Sequence, residues 1–234
     1  MKLNGKLVKI KDICGQDTEA MFSLMDEYYD NMSFDVFLLD LHNKDYCVLL
    51  YDENDRLKGF STQKILCVPV GGKDVCGVFS GDTIIDKSCW GSTELFKVSI
   101  RFFVEYGKQF DEFYWFLISK GYKTYKILPA FFDVFYPRRG MPAPPAAKKI
   151  MDAYASLVYP GEYDGADGVI KYKTVKDKLK DGVADITEMT LKNEHVAFFA
   201  EANPTYTRGD DLVCLAEMSE NNLTAFARKR ILGK

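Results

Sequence analysis

Between Val75 and Phe110 the chain places a glycine and two hydroxyls where chemistry can use them. A strand-like run, VCGVFSGDTIID, meets a short loop, KSCWGST, and then a helix-like run, ELFKVSIRFFVEYGKQF. The first amides of a helix have no internal partner, and the helix dipole adds partial positive charge there. Such a junction can hold a phosphate or another oxyanion. Gly91 lets the backbone approach a ligand closely, while Ser92 and Thr93 are residue types that cap helices. The competing reading is a well-capped helix that follows a strand and binds nothing. Asp82 sits inside an otherwise apolar strand, where an unpaired charge is costly, and beside it Ser80 can bond a substrate or the adjacent backbone. His195, in NEHVAFFAEANP, is a base in one reading and a satisfied structural side chain in the other. Lys120, Lys123, Lys126, Arg138 and Arg139 recur ahead of a proline-rich loop. They can meet phosphates or an acidic protein face, or simply be solvated. Arg138 and Arg139 stand out because a loop holds them rather than a helix face.

These residues need elements to position them. Residues 17–32 show apolar positions Ala20, Met21, Leu24, Met25 and Tyr28 at three-and-four spacing, which predicts a helix that Asp17 or Thr18 can cap. Residues 34–41 predict a second, short helix. YCVLLY, LKGFSTQKILCVPV and VCGVFSGDTIID, separated by DENDR and GGK, predict an antiparallel three-stranded meander. A helix over 93–107 follows, then an apolar and therefore central strand at 113–119. RRGMPAPPAA reads as a loop and 146–158 as a helix. PGEYDGADGV reads as a turn-rich loop, and HVAFFAEANP fits helix or strand. Residues 212–218 read as a strand, and Asn221 to Leu232 as a terminal helix.

Composition bounds the function classes. The 234 residues are 47% hydrophobic and 28% charged, which suits a globular domain with a sizeable core. A net charge of −3 counts against general affinity for nucleic acid. Seventeen Phe and 14 Tyr can build a core or line an apolar pocket. The N-terminal residues are partly basic without a long apolar run, so no signal peptide is expected, and no run approaches the roughly 20 apolar residues of a membrane span. The six cysteines form no CxxC pair and read as reduced, buried thiols of a cytoplasmic protein. His42 and His195 lack metal-site spacing, so neither a structural zinc nor a catalytic metal is expected.

The order helix, meander, glycine turn, helix, strand, helix resembles the core of the GNAT superfamily of acyltransferases. IIDKSCWGSTELFK occupies the place of that family's pyrophosphate loop. Gly91 matches its middle glycine, Trp90 stands where the family usually has Arg, and Thr93 where it has Gly or Ala. The resemblance covers about residues 17–135. It implies an α/β, mixed-sheet GNAT-like fold, with residues 1–140 as core and 141–234 as an extension packed on it in the same domain. It further implies acyl transfer from a thioester to an amine, with Trp90, Gly91, Ser92 and Thr93 at the donor. No permanent cofactor is implied; acyl-CoA or acyl-phosphopantetheine would be the co-substrate. The departures in the loop, the aromatic-rich middle and the long C-terminal part look more like the autoinducer synthases and long-chain N-acyl amino acid synthases. Those members take long acyl chains from an acyl carrier protein, so this protein and a small-molecule amine are the implied partners. The acceptor is left open among an amino acid, an amino sugar, a polyamine and a protein lysine.

In that chemistry an amide on the fourth core strand, here around Val78–Gly81, would hold the oxyanion. Asp82 would be the base. Tyr125, with Tyr122 second, would protonate the leaving thiolate. Ser80 and Arg138 would contact substrate. Two other readings stand beside it. The fold can persist as a catalytically degenerate module for an apolar ligand or protein partner. Alternatively, SCWGS resembles the tripeptide at the papain-like nucleophile, with Cys89, His195 and Asn203 forming a Cys-His-Asn set. Against the latter, a meander precedes the cysteine and no Gln stands shortly upstream.

Overall fold

A computed structural model describes residues 2–174 and 177–233. The chain opens with strand β1 (Asn4–Lys9), helix α1 (Gly15–Tyr28), the two-residue strand β2 (Tyr29–Asp30) and helix α2 (Phe34–His42). Strands β3 (Tyr46–Tyr51), β4 (Leu57–Val70) and β5 (Lys73–Ile85) form the meander, and α3 (Glu94–Gly107) and β6 (Phe113–Ser119) follow. Then come α4 (Tyr122–Tyr125), α5 (Ile127–Phe131), β7 (Phe135–Tyr136) and α6 (Pro145–Val158). The remainder holds β8 (Tyr163–Asp164), β9 (Val169–Ile170), β10 (Lys178–Leu179), α7 (Glu188–Leu191), α8 (Glu194–Ala202), β11 (Asp211–Glu217) and the short α9 (Ala225–Ala227).

The architecture is mixed α/β. The main sheet runs β1-β3-β4-β5-β6-β11-β9-β8, with β7 also on β11. Its pairings are antiparallel except that of β5 with β6. The parallel pair needs a crossover, which α3 supplies. Leu95, Ser99, Ile100, Phe103, Val104 and Gly107 give α3 one buried stripe. Alternation splits the central strands between two cores. Val78, Trp115, Leu117 and Cys214 pack with α3, α5 and α8 on one face. Phe79, Phe116, Val213 and Leu215 pack with α6 on the other. Met21, Met25, Phe37 and Leu41 of α1 and α2 join Cys47, Leu49 and Phe60 in a further cluster.

Three sequence expectations need correction. The N-terminal residues carry strand β1, unannounced because its two apolar side chains, Leu7 and Val8, are adjacent and so show no alternation. The terminal helix over 221–232 is broken into a 3-10 turn at Glu220–Asn222, α9, and a wider turn at Arg228–Leu232. The cysteines are not all free thiols: Cys67 on β4 faces Cys76 on β5, and the two form a disulfide. That register was invisible before the strands were paired. Among the described residues no helix is long and apolar enough to cross a membrane.

Candidate functional site

The sheet opens where β5 leaves β6. Their parallel ladder runs from Cys76 opposite Phe113 to Ser80 opposite Leu117 and stops there. Beyond it β5 is held by β4 alone. In that pairing Ser61 faces Thr83 and Gln63 faces Ser80, so Gly81 and Asp82 together oppose Thr62. This is a bulge, which bends a strand and re-aims its side chains. The parting creates a cleft of about 810 Å3. Phe79, Gly81, Asp82 and Thr83 line it from β5, and Leu117, Ile118 and Lys120 from β6 and its end. Tyr29, Val36, Asp40 and Lys44 close one side, and Leu157, Tyr159, Tyr172, Asp177 and Asp211 the other.

The cleft is rich in charge. Asp82 has its pKa pushed up to about 7, first by burial and then by Asp40 and Asp177, against the opposing pull of Lys44 and Lys120. No hydrogen-bond donor meets its carboxylate among the described residues. Lys44 is 8% exposed. Its Nζ donates to the Asp40 carbonyl at 3.3 Å and to the Asp40 carboxylate. Lys120 Nζ donates to the Asp177 carbonyl at 3.0 Å and to Asp177 Oδ2 at 3.2 Å, and lies 3.5 Å from Asp211 Oδ2. Burial disfavours that ammonium, but Asp211 and Asp177 outweigh it and raise its pKa. The Tyr172 hydroxyl donates to Asp211 Oδ2 at 2.8 Å.

Of the residues singled out in the sequence, Asp82 lines this cleft and several others do not. Tyr125 is fully buried, and its hydroxyl donates to the Pro137 carbonyl at 2.9 Å. Burial pushes its pKa up. It packs against Phe135, Phe198 and Phe199 and is a core residue, not a cleft acid. Tyr122 packs on the same core. Ser80 is equally committed: its Oγ donates to Gln63 Oε1 at 2.8 Å and accepts from Trp115 Nε1 at 2.7 Å. Arg138 Nη1 donates to the Asp133 carbonyl at 2.8 Å, outside the cleft. Asn203 is buried, with Nδ2 on the Asp210 carbonyl at 2.8 Å. Its amide is thereby committed, and among the described residues no hydrogen bond links it with Cys89 or His195. HVAFFAEANP resolves as helix α8 with His195 near its start.

The glycine turn forms as its residue types suggest. Gly91 has φ +92°, with open space where a side chain would stand. Ser92 Oγ accepts from the Glu94 amide at 3.2 Å, while Thr93 occupies the cap position without a side-chain bond. Trp90 Nε1 donates to the Ile85 carbonyl at 2.9 Å, so the indole folds back over the end of β5. Lys123 Nζ lies 3.1 Å from the centre of the Trp90 ring and Lys87 Nζ 5.9 Å from it. Burial, together with the Lys87 charge, lowers the Lys123 pKa. Two cations therefore flank the start of α3.

The sequence reading missed Asp40, Lys44, Asp177 and Asp211. Asp211 did carry a signal, since GDDLVCLAEM sets a charge at the head of an apolar strand just as Asp82 is set within one. Lys44, in the turn HNKDY, carried none. Among the described residues no cluster of His, Cys, Asp and Glu is placed to hold a metal.

No family model matches the chain, and none of the curated proteins does. Solved structures share parts of it. One is a protein of unknown function from Enterococcus faecalis described as a probable N-acyltransferase, 14% identical, covering 56% of this chain and 33% of that one, with a TM-score of 0.42. Another is the N-myristoyltransferase of Saccharomyces cerevisiae with bound myristoyl-CoA, 14% identical, covering 51% and 30%, with a TM-score of 0.39. A GNAT family N-acetyltransferase from Escherichia coli in complex with CoA is 14% identical, covering 51% and 65%, with a TM-score of 0.37. This chain thus spans about a third of the length of the first two proteins. The assignment as a mixed α/β fold rests on its own sheet.

Proposed function

We propose that this chain is a GNAT-like acyltransferase that moves an acyl group from a thioester to an amine. One observation carries the reading: a bulged strand parts from its parallel neighbour and presents, in the cleft so formed, a carboxylate whose pKa lies near 7. A base works best when its pKa is close to the working pH. The nitrogen lone pair attacks the thioester carbon, the C–N bond forms, and the amine proton passes to Asp82 directly or through water. The C–S bond then breaks, and the thiolate takes a proton from water. Tyr29 and Tyr159 line the cleft, but burial raises their pKa values above the ordinary phenol range, so both hold their protons and are not the donors. An amine acceptor suits the cleft because the carboxylates of Asp40, Asp82, Glu162, Asp177 and Asp211 outnumber the ammonium groups of Lys44, Lys64 and Lys120 in its lining.

The thioester donor, acyl-CoA or acyl-phosphopantetheine on a carrier protein, sets its phosphate at the turn of Trp90, Gly91, Ser92 and Thr93. Lys87 and Lys123 supply the charge that an Arg in place of Trp90 would have given. Val36 and Leu157 at the cleft favour long acyl chains over acetyl. One feature favours a second reading, a module that binds without catalysing: the Trp90 indole, bonded to Ile85, lies over the turn.

The test is thiol release from a panel of acyl-CoAs and acylated carrier protein with a mixed amine pool, alongside donor binding. Amine-dependent release from one donor class is the expected result. Binding without release supports the module. The absence of both binding and release refutes the transferase and favours the module, with a ligand other than these donors.

A further inference from the structure

Resting on the acyl-transfer reading above, we propose that Lys44 is a catalytic residue. Its ammonium, buried beside the Gly81–Asp82 bulge, stabilises the oxyanion that forms when the amine attacks the thioester carbonyl.

The position of Lys44 points to this role. It stands in the turn between α2 and β3, yet its side chain lies against β5. A Cβ built on Gly81 would fall 2.7 Å from Lys44 Cε and 3.4 Å from its Nζ. The absence of a side chain at residue 81 is what admits the lysine to this place. The bulge also breaks the β4–β5 ladder here, and the β6 ladder has just ended. A carbonyl seated at the parting of the strands therefore lies beside the ammonium.

The bonding of Lys44 is also unfilled. Its side chain is 4% exposed, and an ammonium so far removed from water needs anionic partners. An ammonium carries three donors. The acceptors that meet Lys44 Nζ among the described residues both belong to Asp40: its backbone carbonyl and its carboxylate. The Asp40 carboxylate is itself 45% exposed and shares its charge with water. One N–H of a buried cation is left for a ligand in the cleft, and it suits a negative oxygen.

Charge balance through the reaction gives Lys44 the same role. Before attack, Asp82 faces Asp40 and Asp177 as like charges and Lys44 and Lys120 as opposite ones. As the C–N bond forms, the carbonyl π pair moves onto oxygen and the amine proton moves to the Asp82 carboxylate. Asp82 is then neutral, and the negative charge that faced Lys44 from β5 has been transferred to the oxyanion. The oxygen pair returns, the C–S bond breaks, and the thiolate leaves and is protonated. Lys44 thus keeps Asp40 throughout and gains a second anionic oxygen within hydrogen-bond reach only in the transition state, which is the condition for accelerating the chemical step.

The experiment compares wild type with Lys44→Met and Lys44→Gln, both checked for folding by circular dichroism and thermal melting. Thiol release is measured against donor, amine and pH. Removing one oxyanion partner costs about 100- to 1,000-fold in kcat. The expected result is a loss of that size, with the KM values for donor and amine changed less than about threefold. In Lys44→Met the acid limb of the pH profile also moves above its wild-type position, because a cation facing Asp82 is gone. A folded Lys44→Met or Lys44→Gln with kcat within about threefold of wild type overturns the proposal. So does a loss confined to KM, which would make Lys44 a binding residue. If active wild type accompanies either outcome, this inference alone falls; if wild type releases no thiol with any donor, the acyl-transfer reading falls and takes it along.

Discussion

In the proposed transfer, Asp82 concentrates the chemistry of the site in one carboxyl group. As a base it must be ionised, so kcat/KM is expected to rise with pH through about 7 and level off above it. Asp82→Asn should lose that acid limb and about 100- to 10,000-fold in rate, read from the pH dependence of thiol release. The same carboxyl has a stability signature of definite sign. An unfolded Asp ionises near pH 3.9, whereas the folded group holds its proton to about 7. Between those values folding takes up a proton, so this group's contribution falls as pH rises. Asp82→Asn is therefore expected to melt higher than wild type at pH 8, by on the order of 2 kcal/mol, and equally at pH 4. Tyr125 predicts the opposite pattern. Tyr125→Phe removes its bond to Pro137 and costs about 1 kcal/mol in a denaturant titration, while activity stays within about twofold. Asp82 was legible because a charge among apolar strand residues violates local logic. Tyr125 misled because spacing cannot tell a hydroxyl aimed at a cleft from one aimed at a backbone carbonyl. Lys44 was illegible, since its meaning depends on the missing side chain of a strand 37 positions later.

At the scale of elements, periodicity served well where one face was buried. The meander, α3 and β6 emerged close to their observed bounds because alternation and a three-and-four stripe are strong local signals. What periodicity lacks is register. The Gly81–Asp82 bulge and the Cys67–Cys76 bridge both exist only relative to β4. The bridge closes a loop between residues nine apart, so its reduction should cost about 2 kcal/mol, seen as a lower urea midpoint with the strands still paired. At the other end of β5, Gly91 holds a left-handed backbone that an L side chain resists. Gly91→Ala is expected to cost about 1 kcal/mol and to raise the donor KM several-fold, with the amine KM unchanged.

The whole molecule shows why the cleft itself could not be read in advance. Its charged lining, from Asp40, Lys44, Lys64, Asp82, Lys120, Glu162, Asp177 and Asp211, is spread across most of the chain. Strand β11 pairs β6 in the centre of the sheet and buries Val213, Cys214 and Leu215. Residues 141–234 therefore complete the sheet and close one side of the cleft. A 1–140 fragment is expected to lack cooperative melting and to release no thiol, measured by near-UV circular dichroism and the thiol assay. The pairing of β11 with β6 also sets the tempo at which the protein assembles. The meander joins strands that are neighbours along the chain, so its loops close at small entropic cost. Seating β11 must wait for some ninety intervening residues to be gathered, and such distant pairings slow folding. Trp115, buried on β6 against Phe132, reports that event. In refolding, its fluorescence should settle after the meander's backbone signal, so that the protein acquires its meander before it acquires its cleft.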